Sequence, residues 1–182
     1  MTFELVTDRP ALNFVPTVAE RGTTNLERLR TGDDLREWAR EAGLVDDLGV
    51  TPADLVRARA LREAVFGVVS ALIEGRPPAP ADVAAVNAAA ARRGPVVRLE
   101  EDGRLTRSGD VAAVLSVVAT DCLDLCVSPD RHVLRWCDDE RCTRPFVDRS
   151  RGGRRRWCGM KGCGDRAKAA AYRRRKRQED PR

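Results

Sequence analysis

The sequence predicts an α+β protein that is mostly helical, with a helical N-terminal body containing one β-hairpin and a small four-cysteine module ending in a basic helix. Three observations support this prediction. Apolar side chains recur with a helical period through much of residues 50–130. Two short apolar runs flank the turn signal Asp102-Gly103. Two close pairs of cysteines precede a strongly cationic run at residues 166–177.

The first thirty residues give few regular signals. Residues Ala11–Val15 form a short apolar run that Pro16 stops. Thr23–Asn25 precede a stretch around Leu26 and Leu29 for which we predict a helix. We therefore expect an irregular N-terminal segment with one helical stretch.

Two helices are predicted between residues 31 and 75. Asp33-Asp34 is expected to cap a short helix that Gly43 ends. Its inward face is predicted to comprise Leu35, Trp38 and Ala39. The second helix is predicted to start at Thr51–Asp54, which combines an N-cap threonine, a proline at the first helical position and an acid in the first turn. Its apolar side chains keep a helical period to about Glu74.

The rest of the body is predicted to hold the hairpin and two more helices. One alanine-rich helix spans Ala81–Arg92, and the strands Val96–Leu99 and Arg104–Thr106 form the hairpin. A last body helix begins at Ser108–Asp110. Its inward side chains are predicted to be Val111, Val114, Leu115, Val118, Cys122 and Leu125.

The four C-terminal cysteines have the spacing of metal ligands. Arg135–Cys142 and Arg156–Cys163 both read R-W-C-x4-C, and fifteen residues separate the two pairs. Zinc takes four sulfur ligands in a tetrahedron at about 2.3 Å, and a four-thiolate site leaves no open position. The sequence therefore predicts one structural zinc ion per chain. The predicted ligands are Cys137, Cys142, Cys158 and Cys163.

Residues around this quartet are expected to support the zinc site. Glycines allow the tight turns that the ligands need, and tryptophans beside the first ligand of each pair could exclude water. Arginines would offset the net negative charge of four thiolates on zinc. The predicted glycines, tryptophans and arginines are Gly159, Gly162, Gly164, Trp136, Trp157, Arg141, Arg144 and Arg156.

Cys122 and Cys126 lie four residues apart on the last predicted body helix. This spacing could serve a second metal or a redox pair. Their surroundings are apolar and no further ligand accompanies them, which favours small core residues.

The chain is expected to be a cytoplasmic protein without a membrane partner. No basic segment followed by an apolar run begins the sequence, so a secretory signal is not visible and cysteine pairs are better explained as metal ligands than as disulfides. The longest apolar stretch, Val111–Ala119, is much shorter than a membrane span.

Charge divides the chain at Ser128–Asp130. Residues 131–182 hold 18 Lys and Arg against 7 Asp and Glu, whereas residues 1–130 hold 15 against 21. We therefore expect two domains. Residues 1–130 form an acidic, mostly helical sensor or association domain, and residues 131–182 form a zinc-binding, basic module that binds nucleic acid.

Nucleic acid is predicted to contact two basic segments, the loop Arg149–Arg156 and the helix Arg166–Arg177. Both are rich in arginine, which can bind phosphate and guanine edges through two hydrogen bonds at once. A solvated helix is the alternative explanation, but five consecutive cations at Arg173–Arg177 repel one another unless a polyanion is near. The candidate residues are Arg151, Arg154, Arg155, Arg156, Lys161, Arg166, Lys168, Arg173, Arg174, Arg175, Lys176 and Arg177.

From Arg135 onward the sequence resembles the CGNR zinc-finger family. The run Trp157–Tyr172 resembles the family's tryptophan-cysteine knuckle, its C-G-N-R signature and the Ala/Lys/Arg helix that follows. Asp165 stands at the asparagine position of the signature. The family's N-terminal half resembles Ala11–Thr17, Leu26-Glu27 and Asp34–Trp38 here, although Asn13 and Pro16 replace its usual Asp and Asn. The resemblance implies a stress-induced transcription regulator with an N-terminal domain of the ABATE type.

The leading hypothesis is a bacterial DNA-binding transcription regulator whose body senses a small-molecule effector or forms a homodimer. An RNA- or ribosome-associated zinc-binding factor is the alternative, since Tyr172, Trp136 and Trp157 could stack on unpaired bases. A redox sensor or enzyme that uses Cys122 and Cys126 is a third hypothesis. We expect no enzyme, because the single histidine, His132, has no adjacent nucleophile and no phosphate-binding glycine loop is present.

Overall fold

The computed structural model of the protein describes residues 3–179, with the side chains of residues 3–176. This part of the chain contains six α-helices, three two-stranded antiparallel sheets and three short helical turns, at Val15–Thr17, Pro129–His132 and Met160–Gly164. The helices are α1 Pro10–Phe14, α2 Gly32–Glu41, α3 Pro52–Glu74, α4 Pro80–Ala90, α5 Val111–Val127 and α6 Asp165–Glu179. The strands are β1 Val18–Ala19, β2 Leu26–Glu27, β3 Val96–Leu99, β4 Leu105–Ser108, β5 Leu134–Trp136 and β6 Pro145–Val147.

Side-chain caps fix where α2 and α3 begin. Thr51 accepts a hydrogen bond from the N–H of Asp54 at 3.2 Å, and the Asp54 carboxylate accepts one from the N–H of Thr51 at 3.0 Å. This capping box confirms the predicted start of α3, and Gly75 ends the helix with a φ of +66°. The cap of α2 is Thr31, and Asp34 completes its capping box. The prediction that Asp33-Asp34 supplies the cap is therefore wrong by two to three positions.

The prediction of a helix around Leu26 and Leu29 is wrong. Leu26–Glu27 is a strand that pairs with Val18–Ala19, and Leu29 is buried in the segment that follows. Asn25 has a φ of +48°, a left-handed conformation that turns the chain before β2. Glu27 then binds the buried guanidinium of Arg62 through two hydrogen bonds of 2.7 Å. These long-range contacts outweigh the local helical preference.

The apolar run Ala11–Val15, predicted to be irregular, is helical. Pro10–Phe14 forms α1 and a 3₁₀ turn continues to Thr17. The cap at its start comes from another helix, because the Asp121 carboxylate of α5 accepts a hydrogen bond from the Ala11 N–H at 2.8 Å. A partner so distant in sequence gives no local signal of this helix.

The body core lies where α1, α2, α3 and α5 meet. The rings of Phe14 and Trp38 pack at 4.6 Å between centroids, and both are fully buried. The inward face predicted for α5 is confirmed, since all six of its side chains are at most 7% exposed. The predicted alanine-rich helix is also present as α4, although Val86 is its single buried residue.

The hairpin β5–β6 joins the cysteine module to the body. Cross-strand partners share a face of the hairpin, and Leu134 pairs with Val147 while Trp136 pairs with Pro145. Leu134 and Val147 are part of the body core, and the ring of Trp136 packs on Phe66 of α3 at 5.8 Å. The body and the module therefore share one apolar core.

Ion pairs strengthen this junction. Asp130 binds both Arg9 and Arg149, at 2.6 Å and 2.7 Å, and Arg149 also binds Asp8 at 2.6 Å. The Arg149 and Arg9 guanidinium groups lower the pKa of Asp130 to about 2. The buried Arg144 donates to the carbonyl of Glu4 at 2.7 Å. Among the described helices, none combines the length and apolar character needed to cross a membrane.

Replacing Thr51 with alanine should lower the free energy of unfolding by about 1 kcal/mol, because the N–H of Asp54 loses its acceptor at the start of the longest helix. Thr51→Ser keeps the hydroxyl and should change stability much less. Urea unfolding of the zinc-loaded proteins, followed by circular dichroism, measures both. Equal losses for the two variants would contradict a role of this cap.

Candidate zinc centre and basic surface

The four predicted ligand cysteines come together in one cluster. Cys137 directly follows β5, Cys142 follows a turn, Cys158 follows the basic loop and Cys163 lies just before α6. Their four sulfur atoms all lie within 4.8 Å of one another, and three of the four residues are buried. The Sγ atoms of Cys142 and Cys158 are 3.8 Å apart, and those of Cys158 and Cys163 are 3.7 Å apart.

These sulfur–sulfur distances fit a zinc ion. A tetrahedron with zinc–sulfur bonds of about 2.3 Å has edges of about 3.8 Å. The distances are far longer than the sulfur–sulfur bond of about 2.05 Å in a disulfide. The donor set is four soft sulfurs with no open position, so the bound ion would be structural.

Thiol chemistry also favours a cation at this position. The neighbouring thiols of Cys142 and Cys158 lower the pKa of Cys137, and Cys137 in turn raises the pKa of Cys142 and Cys158. Burial and the negative charge of Cys142 raise the pKa of Cys163 to about 12. Four adjacent thiolates repel one another strongly unless a divalent ion lies among them.

Of the three predicted glycines, Gly162 is the one that the backbone around Cys163 requires. Gly162 has a φ of +91°, which side chains rarely tolerate. A Cβ on Gly164 would lie 2.9 Å from the sulfur of Met160, the far end of a flexible and exposed side chain that would have to shift. Gly159 has an extended conformation, and a Cβ there would make an ordinary contact of 3.7 Å with the Lys161 carbonyl oxygen. The Gly159 carbonyl accepts a hydrogen bond from the N–H of Gly164 at 3.1 Å.

One tryptophan of the two shields the sulfurs as predicted. Trp157 packs against the cysteine cluster, but Trp136 lies on the face of β5 that contacts the body. The reason is strand alternation, since Trp136 points to the same side as Leu134. Phe146, on the opposite face of the hairpin, is completely buried against the cysteines. It follows a proline in β6, and no sequence signal singles it out.

Arg166 is the arginine that contacts a ligand sulfur. Its Nη2 donates to the Sγ of Cys163 at 3.1 Å, and its Nε donates to Asp139 at 2.7 Å. Two of the arginines predicted to offset the thiolate charge form other ion pairs. Arg144 binds Glu4, and Arg156 binds Asp138 at 2.7 Å. Arg141 lies in the same cleft as Cys142.

The buried carboxylate of Asp148 folds the basic loop. It accepts hydrogen bonds from the hydroxyl and the N–H of Ser150, at 2.5 Å and 3.0 Å, and from the N–H of Arg155 at 3.0 Å. The Ser150 hydroxyl and these N–H groups lower the pKa of Asp148. An aspartate two residues before a serine is an Asx-turn signal that could have identified this contact.

Two arginines of the loop support the module. Arg155 donates to the carbonyls of Trp157, at 2.8 Å, and of Cys158, and its guanidinium stacks on Phe146 at 4.8 Å. Arg156 combines its ion pair to Asp138 with stacking on Trp157 at 5.3 Å.

The predicted basic helix is confirmed as α6, and its cations up to Lys176 are exposed. Ala167, Ala170 and Ala171 are its less exposed side chains. An outer face follows the spacing i, i+4, i+7, i+8 and consists of Lys168, Tyr172, Arg175 and Lys176.

Of the twelve predicted nucleic-acid contacts, three are engaged inside the module, namely Arg155, Arg156 and Arg166. The side chain of Arg177 lies outside the described residues. The other eight are exposed and have no side-chain partner within the described chain. They are Arg151, Arg154, Lys161, Lys168, Arg173, Arg174, Arg175 and Lys176.

Cys122 and Cys126 form a separate pair in the body. Cys122 is fully buried, as predicted, and Cys126 is partly exposed with its sulfur 3.2 Å from the Cys122 carbonyl oxygen. Hydrogen bonding from the Cys122 thiol and the charge of Arg131 lower the pKa of Cys126 to about 7. The same hydrogen bond raises the pKa of Cys122.

The cysteine cluster, the basic loop and α6 together define a zinc-finger protein with a helical N-terminal domain. Residues 133–176 match the model of the CGNR zinc finger, and residues 8–129 match the ABATE family, described as "Putative stress-induced transcription regulator". The chain belongs to the ABATE family and carries a C-terminal CGNR zinc finger. Both matches confirm the resemblance, and with the four-cysteine cluster they support one structural zinc ion per chain. Comparison with curated proteins gives no match.

Arg166→Lys should weaken zinc binding about tenfold, because lysine cannot donate to the Cys163 sulfur and to Asp139 in the fixed geometry of a guanidinium. Competition with a chromophoric chelator measures the zinc affinity. Lys168→Arg, a charge-conserving change on the outer face of the same helix, is the matched control. Equal zinc affinity of all three proteins would contradict the role of Arg166.

Alkylation of Cys126 by iodoacetamide should speed up as the pH rises through about 7, because the thiolate is the nucleophile. Cys122 should react far more slowly, since it is buried and its pKa is raised. Mass spectrometry of the zinc-loaded protein locates the modified residue at each pH. An unmodified Cys126 at pH 8 would contradict this prediction. The variant Cys126→Ser is the control that shows how much alkylation occurs at other residues.

Proposed function

We propose that the chain is a DNA-binding transcription regulator in which one structural zinc ion holds a basic loop and helix against the double helix. The proposed ligands are Cys137, Cys142, Cys158 and Cys163, for the sulfur geometry given above. The observation that carries the proposal is the exposed outer face of α6, where Lys168, Arg175 and Lys176 have no partner within residues 3–176.

Physical chemistry favours a polyanion as the partner of this face. Unpaired cations on one helix repel one another, and phosphate relieves this repulsion with release of counter-ions. The major groove admits an α-helix, and arginines reach guanine edges there. Asp165 is exposed in the first turn of α6, where the positive end of the helix dipole stabilises a carboxylate. We propose that Asp165 supports the helix and does not contact phosphate.

We propose that the acidic and the basic part of the chain have different functions. Residues 131–182 bind zinc and DNA, and residues 1–130 sense a small-molecule effector or mediate association. We propose a cytoplasmic, bacterial protein that acts in a stress response, in keeping with the description of its family. The chain would act by binding and not by catalysis.

RNA binding is the second candidate, and one observation favours it. Tyr172 is 60% exposed on the outer face of α6, where it could stack on an unpaired base. The other two aromatic residues considered for stacking are engaged, since Trp136 packs on Phe66 and Trp157 lies beneath Arg156. The described surface therefore offers one stacking residue among many cations, which suits duplex DNA better.

Replacing Lys168, Arg175 and Lys176 together with glutamine should weaken binding to random duplex DNA about tenfold or more at moderate salt. The slope of log affinity against log salt should fall by about 1 for each lost phosphate contact. Fluorescence anisotropy at several salt concentrations, with zinc per chain quantified in the same sample, measures both. The matched control replaces three exposed body arginines, Arg40, Arg92 and Arg93, with glutamine.

Cys158→Ser provides the second arm of this experiment. It should lose zinc and, with it, the arrangement of the loop and α6, so that DNA binding is lost. Tight binding by the zinc-free protein, or equal losses in the body control, would overturn the proposal. Stronger competition by structured RNA than by duplex DNA would support the RNA-binding alternative.

A further inference from the structure

The hairpin β3–β4 has an apolar face that the body does not cover. Val97 pairs with Arg107 and Leu99 pairs with Leu105, so these four side chains lie on the same face. Val97, Leu99 and Leu105 are 55%, 72% and 52% exposed. A two-stranded hairpin with so little buried surface is marginally stable by itself. This face therefore marks a surface that a partner can cover.

The outer edge of β3 also has free backbone groups. Arg107 of β4 donates its N–H to the Asp46 carboxylate at 2.6 Å, and its carbonyl accepts from the Asp46 N–H at 3.0 Å. Arg107 thus directs both groups away from β3, and in an antiparallel pair its partner Val97 directs its own groups away from β4. Leu99 lies two residues further along β3, so its N–H and C=O also point away from β4. Outside the β3–β4 ladder, no backbone hydrogen bond within the described chain reaches Val97 or Leu99.

We propose that the outer edge of β3 pairs antiparallel with the same edge of a second copy of this chain, with the two-fold axis at Leu99. The two hairpins would then form one four-stranded sheet. Leu99 would lie opposite Leu99 of the second copy, and their apolar faces would join on one side of the sheet. This inference concerns association between copies and does not depend on DNA binding.

Charge and backbone chemistry select this register. With the axis at Leu99, Arg98 lies directly opposite Glu100 of the second copy, and the pair occurs twice. An axis at Arg98 would instead place two arginines opposite each other, which is repulsive. An axis at Val97 would place Leu99 opposite Pro95, which has no N–H to donate.

Sedimentation velocity over a concentration series, without nucleic acid, tests the dimer. We expect a reversible dimer at micromolar concentration, and Leu99→Lys should raise its dissociation constant at least about tenfold by placing like charges opposite each other. Val127→Lys is the matched control, because Val127 is 81% exposed at the end of α5, outside the hairpin. A monomer at all concentrations, or equal effects of the two variants, would overturn the proposal.

A mixing experiment tests the register itself. Arg98→Glu and Glu100→Arg should each weaken self-association, because every dimer would then contain two like-charged pairs. An equimolar mixture of the two variants should dimerise as well as the wild type, since each contact again joins opposite charges. A purely intramolecular role of Arg98 or Glu100 predicts no recovery on mixing. Circular dichroism and zinc content verify that each variant is folded, and failure of the mixture to dimerise would exclude this register.

Discussion

The structure of the C-terminal module depends on the zinc cage formed by four cysteines, because the module has almost no apolar core of its own. Phe146 and part of Trp157 are the main apolar side chains that contact the sulfurs. Such a small cluster cannot offset the entropy of ordering some forty residues, whereas metal binding to four thiolates contributes about 10 kcal/mol or more. The hairpin β5–β6 transmits this stabilisation, since one face holds Phe146 against the cage and the other holds Leu134 and Val147 in the body core.

Arginine–carboxylate pairs then decide which cations remain available to a ligand. Arg149 is held at the base of the loop by Asp8 and Asp130, and Arg155 is held at its other end by carbonyl oxygens and the ring of Phe146. The tip between them, including Arg151 and Arg154, is exposed. The predicted basic surface is therefore smaller than the count of arginines suggests. Among the predicted contacts whose side chains are described, the unpartnered ones lie at this tip, at Lys161 and on α6.

Features that depend on local sequence could be predicted, and those that depend on distant partners could not. The capping residues around Thr51 and the period of α5 specify their helices locally, and the cysteine spacing identifies the four cysteines that cluster. The strand at Leu26–Glu27 depends on Arg62, 35 residues away, and α1 depends on Asp121. The role of Arg166 was missed because its charge alone does not distinguish a sulfur contact from a phosphate contact.

The positions of the two available cationic elements are linked through the cage. Cys158 ends the loop that begins at Asp148, and Cys163 leads directly into α6, so the same ion would fix both the loop and the helix. Arg166 adds a third connection, because it joins the first turn of α6 to Asp139 in the first knuckle. None of the four sulfurs needs to contact a nucleic acid for zinc to be essential. In the proposed complex with DNA, the ion would act by holding flexible cations at fixed separations, which would lower the entropy cost of binding a regular array of phosphates.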